Sequence, residues 1–139
     1  MDAFDADVLI YAAVPDHPLG RRVAALIASA ETGTPAGTGS VLLLPEVLGK
    51  PLRDGTAEEV RILAALLARL DLRPIDLATA ELATSLSARY KLRAADAVHL
   101  ATAVGVGADR FITYNQRDFP REITEVDITY PADLAGPGT

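Results

Sequence analysis

Four times along this chain an apolar run breaks off at an acid. Asp5 and Asp7 lie in A-F-D-A-D-V-L-I-Y-A, Glu46 in S-V-L-L-L-P-E-V-L, Asp96 in L-R-A-A-D-A-V-H-L-A-T-A, and Asp118 in F-I-T-Y-N-Q-R-D-F. A carboxylate that ends a buried strand or opens a buried helix is costly unless it is solvated, paired or bound to a cation. A fold that brings the four runs to one sheet edge makes a carboxylate cup. Hard oxygen donors of that kind suit Mg²⁺ or Mn²⁺.

The order of elements says how such a meeting comes about. Ala3 onward reads as a short strand that turns into a helix after Asp5. Pro15–Gly20 reads as a turn, Arg21–Ala30 as a helix, Thr32–Gly39 as a Gly-, Thr- and Pro-rich loop, and Ser40–Leu44 as a strand. Pro45 is then placed to open a helix, with Glu46 near its positive end. Thr56 and Glu59 have the spacing of a capping box. The helix they start carries Val60, Leu63, Ala64 and Leu67 as a stripe. Leu70–Ile75 follows as a strand, Ala78–Tyr90 and Ala94–Val104 as helices, Arg110–Thr113 as a strand, and Val126–Ile128 as an edge strand. Strands alternating with helices predict a three-layer α/β/α domain with a mostly parallel central sheet. Ligands of such sheets bind beyond the carboxyl ends of the strands, where Asp5 and the Thr113–Asp118 segment fall. One domain over 1–131 and a tail over 132–139 account for the length.

Composition narrows the function. Half of the 139 residues are hydrophobic, so the chain can bury a core. The net charge of −6 argues against a protein that coats nucleic acid through bulk charge. With 5% aromatics and no Trp, a base-stacking platform is poorly supplied. The absence of Cys excludes disulfides, thiolate catalysis and Cys-ligated zinc. Met1-Asp2-Ala3 carries an acid where a secretory signal carries positive charge, and no apolar run is of membrane-spanning length. A soluble cytoplasmic protein that does not engage a membrane is expected.

With F-D-A-D-V-L-I-Y at the start, Ser40 six residues before Glu46, Leu92 ahead of D-A-V-H-L-A-T-A, and F-I-T-Y-N before Asp118-Phe119, the chain resembles the PIN-domain nucleases. Its nearest likeness is to the VapC-type toxins of bacterial toxin–antitoxin systems. The resemblance runs from about Ala3 to about Pro131. It implies a metal-dependent endoribonuclease with one or two Mg²⁺ or Mn²⁺ ions on Asp5, Glu46, Asp96 and Asp118. It also implies an RNA substrate, a cognate antitoxin and a homodimer. Such a metal activates water for in-line attack on a phosphodiester.

Each residue also has a plainer reading. Asp5 caps a helix as well as it ligates a metal, and both roles can hold together. Asp7 suits capping or a hydrogen bond to the site. Glu46 and Asp96 interact favourably with a helix macrodipole in any case. Asn115 stands where many relatives have Asp; its uncharged oxygen is a weaker donor, and Asp118 is the alternative source of charge. Thr113 suits a bond to a carboxylate, and Ser40 a structural one. His99 follows Asp96 on the same helical face, but a lone histidine on an apolar helix is usually a core group. His17 reads as a surface turn residue. Arg93 and Arg117 are the candidates for phosphate contacts. Two rivals stand beside the nuclease: a non-catalytic PIN scaffold that binds RNA or protein, and a phosphohydrolase working through an aspartyl phosphate. The second needs a lysine and a late carboxylate pair; the only lysines are Lys50 and Lys91, and the chain is short for that fold.

Overall fold

The computed structural model describes residues 1–136. The chain runs β1 (Asp2–Phe4), α1 (Ala6–Ala12), α2 (Pro18–Ala28), β2 (Gly37–Ser40), α3 (Leu43–Asp54), α4 (Ala57–Leu67), β3 (Leu70–Arg73), α5 (Leu77–Tyr90), α6 (Ala94–Gly105), β4 (Arg110–Ile112) and β5 (Asp127–Thr129), then a 3₁₀ turn at Pro131–Asp133. The strands form one sheet in the order β3-β2-β1-β4-β5. Every pairing in it is parallel. Among the described residues no helix is long and apolar enough to cross a membrane.

The two faces of the sheet follow from strand alternation. Ala3 pairs with Phe111, and Phe4 with Ile112. Ala3 and Phe111 face a core built with Ala83 and Leu86 of α5 and Ala97 and Leu100 of α6. Phe4 and Ile112 face the opposite core, with Leu9 of α1, Val23 of α2, Val47 of α3 and Leu63 of α4. Four helices cover one face and two the other, which is the three-layer arrangement expected.

Several local readings shift. α2 begins at Pro18 rather than Arg21, because Pro18 starts the helix and His17 caps it, Nδ1 accepting from the Gly20 N–H at 2.9 Å. β2 is Gly37–Ser40 rather than Ser40–Leu44, and Leu43 and Leu44 belong to α3. The glycines are there for space. A Cβ on Gly37 would lie 2.4 Å from the Phe4 ring, and one on Gly39 the same distance from Leu43 Cδ1. A strand of small residues between two bulky layers carries no apolar alternation to read. Thr56 does precede α4, yet its side chain caps no backbone N–H. Its hydroxyl lies instead 3.2 Å from the Pro51 carbonyl and 3.3 Å from Glu59 Oε2. β5 is the edge strand expected, one residue later than read. Within the stretch read as a tail, Leu134 is buried in the second core and Arg22 donates to the carbonyls of Ala132 and Leu134. Residues 137–139 of that stretch lie outside those described.

Candidate active site at the carboxyl edge of the sheet

Asp5 is the first residue past β1, and the adjacent strand β4 ends beside it. The Asp5 N–H donates to the Ile112 carbonyl at 3.0 Å, carrying the β1–β4 register one step beyond the strands. That brings Asp5 level with Thr113, whose hydroxyl donates to Asp5 Oδ2 at 2.8 Å. Asp5 Oδ1 accepts from the Ala6 N–H at 2.8 Å, so Asp5 also caps α1. Capping and site membership are one placement here. Asp5 is only 5% exposed. Burial pushes its carboxyl above the usual range, against the opposing pull of His99 and the two hydrogen bonds.

The other acids come to the same edge by different routes. β2 ends at Ser40, whose Oγ accepts from the Leu42 N–H at 3.0 Å, a structural role that shapes the turn into α3. Glu46 then stands in the first turn of α3, and Asp96 in the first turn of α6. The Asp96 carboxyl is held above its ordinary range by burial, then by the charges of Asp5 and Asp118, with His99 opposing and Glu46 adding. Asp96 thus senses each of the other three stations. Asp7 is pushed up to about 7, by burial first and the Asp5 charge second, although the Tyr114 N–H donates to its Oδ1 at 3.3 Å.

The loop after Thr113 separates the two candidates for the fourth position. Asn115 Nδ2 donates to Asp118 Oδ2 at 2.9 Å, while Asn115 Oδ1 accepts from the Asp118 N–H at 3.1 Å. The Asn115 N–H in turn donates to Thr113 Oγ1 at 3.0 Å. The Asn115 amide oxygen is therefore occupied within its own turn. Asn115 thus fixes the position of Asp118, and Asp118 is the one of the two that carries a charge.

His99 meets the core reading and also reaches the acids. It is buried, as a core histidine would be, but its Nε2 lies 2.8 Å from Glu46 Oε1. Its Nδ1 is buried with no hydrogen-bond partner. Burial lowers the imidazole pKa, but the Glu46 bond and the charges of Asp5, Glu46 and Asp96 outweigh it and raise the value overall. The sequence signal is that His99 lies one turn from Asp96 on the same side of α6, the helix that packs against β1 and β2. Arg93, the N-cap of α6, and Arg117 are exposed and make no ion pair among the described residues.

Asp5, Glu46, Asp96 and Asp118 are thus gathered, but not closed on one point. Among the described residues no three His, Asp or Glu side chains form a ready metal-binding group. Glu46 is turned to His99 and Asp118 to Asn115. In donor chemistry the set fits a hard divalent cation, since all four are carboxylates and none is paired with Lys or Arg.

A PIN domain family model matches residues 3–122. The fold is similar to that of a toxin–antitoxin complex from Klebsiella pneumoniae, with TM-score 0.71 and 26% identity over 94% of this chain and 98% of that one. It is also similar to VapBC2 from Rickettsia felis bound to a DNA fragment from their promoter, with TM-score 0.69 and 16% identity over 93% of this chain and 97% of that one. At that identity the second likeness is one of fold. No curated protein matches the chain. A match over most of its length, on a sheet edge that collects four acids, settles where it stands: the chain belongs to the PIN domain family.

Proposed function

We propose that the protein is a Mg²⁺- or Mn²⁺-dependent endoribonuclease and the toxin of a toxin–antitoxin pair. The observation that carries this reading is the gathering of four carboxylates at the carboxyl edge of the sheet with no Lys or Arg paired to them among the described residues. Structural acids are normally paired with a permanent cation, and a group of acids without one is the environment a divalent cation neutralises. Asp5, Glu46, Asp96 and Asp118 would hold the ion. When bound, it supplies a nucleophilic water and stabilises charge on the phosphodiester and its leaving oxygen.

The remaining residues act around that set. The Thr113 hydroxyl and the Ala6 N–H fix the direction of the Asp5 carboxylate. His99 orients Glu46, and Asn115 orients Asp118. Arg93 and Arg117 are free to meet phosphates on either side of the acids. The likeness to a toxin–antitoxin complex supports a cognate antitoxin as partner; RNA as target is what membership of a nuclease family favours. We propose a homodimer because the motif resemblance to the toxin subgroup implies one.

The test is cleavage of a labelled single-stranded RNA by protein purified free of host nucleases. EDTA should stop cleavage and Mn²⁺ or Mg²⁺ should restore it. Asp96→Asn should reduce cleavage by at least about 100-fold while the fold persists, since one ligand charge is lost at constant shape. Undiminished, metal-responsive cutting by Asp96→Asn would reject the assignment.

A further inference from the structure

The chain is poor in aromatics, yet the fold concentrates three rings at one place beside the acids. Tyr11 of α1 lies with its ring centroid 4.6 Å from that of His17 and 5.1 Å from that of Tyr114. His17 and Tyr114 are 5.9 Å apart, edge to face. Tyr114 directly follows Thr113, and its backbone N–H donates to Asp7. Asp7 and Tyr11 are one helical turn apart on the same face of α1. The ring cluster therefore continues from the acidic edge along α1.

We infer that Tyr11, backed by His17 and Tyr114, is a stacking shelf for an unpaired base of single-stranded RNA entering the acidic site. The inference rests on the nuclease reading for its substrate class, but on separate residues. Three observations carry it.

First, Tyr11 is 42% exposed, whereas the three Phe are buried. Of the other tyrosines, Tyr130 is buried and Tyr90 is bonded to Glu125. Tyr11 is the one large aromatic surface the described residues offer.

Second, the shelf is held in place. His17 is locked by accepting from the Gly20 N–H. At Gly20 a Cβ would lie 2.1 Å from the Tyr11 carbonyl oxygen, so α2 packs against the backbone of Tyr11 at a distance only glycine allows. A rigid ring loses little freedom when a base stacks on it.

Third, the charge of the protein leaves a gap that stacking fills. A chain of net charge −6 cannot hold RNA by bulk attraction, and the acids repel phosphates until a cation is bound. An uncharged π face holds a nucleotide without confronting that field. Ile10 and Val14, exposed on either side of Tyr11, extend the apolar border.

The experiment measures binding and cleavage separately. Binding is read from 2-aminopurine quenching in a single-stranded oligoribonucleotide, in Ca²⁺, with Asp96→Asn and Tyr11→Leu/Asp96→Asn proteins. Cleavage is read with wild type, Tyr11→Leu and Tyr11→Phe in Mg²⁺. Removing the ring should weaken RNA binding roughly 5- to 150-fold and abolish the quenching, while Tyr11→Phe retains both binding and cleavage. The loss should appear in KM rather than kcat. Placing an abasic nucleotide at successive positions should reproduce the Tyr11→Leu loss at one position only, and have no added effect in Tyr11→Leu. Wild-type cleavage with an unchanged KM in Tyr11→Leu overturns the shelf and leaves the nuclease reading intact. Tyr11-dependent quenching without cleavage by the wild type supports the shelf and overturns the nuclease reading. Loss of antitoxin or self-association in Tyr11→Leu, with RNA binding untouched, would assign the patch to protein contact and overturn the inference.

Discussion

The two ends of β1 and β4 treat acids in opposite ways. At the amino end Asp2 faces Arg110, with Arg110 Nε donating to Oδ1 at 2.9 Å and Nη2 to Oδ2 at 2.8 Å. The terminal amine and Asp109 form a second pair beside them. At the carboxyl end of the same strands, Asp5 has neutral donors, Thr113 and the Ala6 N–H, and further acids around it. One end is closed electrostatically and the other is left open. Hydrogen bonds from neutral donors orient a carboxylate without neutralising it, so the anionic character stays available to a cation. This contrast separates acids neutralised within the fold from the acids proposed to hold a cation.

Thr113→Val gives the largest expected effect among changes that leave all four carboxylates in place. The hydroxyl is buried and bonded to Asp5, and its removal should cost roughly 10- to 100-fold in metal affinity or cleavage. The readout is the Mg²⁺ concentration for half-maximal RNA cleavage. An unaltered value would mean that Asp5 needs no orienting partner.

Asn115→Asp should produce a smaller loss in the same assay. It places a carboxylate where Asn115 Nδ2 now donates to Asp118, so repulsion replaces the bond that holds Asp118 in position. Improved metal affinity would instead show that the turn reopens and that position 115 can serve as a ligand.

The pH dependence of metal-free stability should follow the uncompensated end. Asp7 moves from 3.8 to about 7 on folding, and Asp5 and Asp96 are raised as well. An acid raised on folding binds its proton more tightly in the folded state, so stability falls as pH rises between about 4 and 7. In EDTA the melting temperature should therefore drop across that window, and divalent metal should flatten the drop by binding the folded state alone. Identical profiles with EDTA and with Mg²⁺ would mean that the acids do not share a cation.

The smallest effect belongs to the closed end. Asp2→Asn keeps the shape but removes one charge from a pair whose side chains are 16% and 33% exposed. A stability loss of about 1 kcal/mol is expected, with unchanged cleavage. A change in cleavage would break the distinction between the two ends.

Much of this was written in the chain itself. Asp5, Glu46, Asp96 and Asp118 each stand at a junction of apolar and polar sequence, and junctions of that kind in an alternating strand–helix order fall on one edge of a parallel sheet. Helices α5 and α6 show their apolar stripes directly, so their bounds were legible to within a residue or two. Strand β2 was not, because Gly37 fits the room left by Phe4, a residue far away in sequence, and Gly39 the room left by Leu43, so neither position carries an apolar side chain to read. The same holds in the site. Sequence named Glu46 and His99 but not their bond, which spans 53 positions and exists only because α3 and α6 open at the same sheet edge. Nor did it show how Asn115 and Asp118 are joined: only the folded turn reveals the amide oxygen accepting from the Asp118 N–H while the amide nitrogen donates to the Asp118 carboxylate. The types of residue that collect at an edge follow from periodicity, which is local. Which of them touch depends on packing between elements, which no local pattern carries.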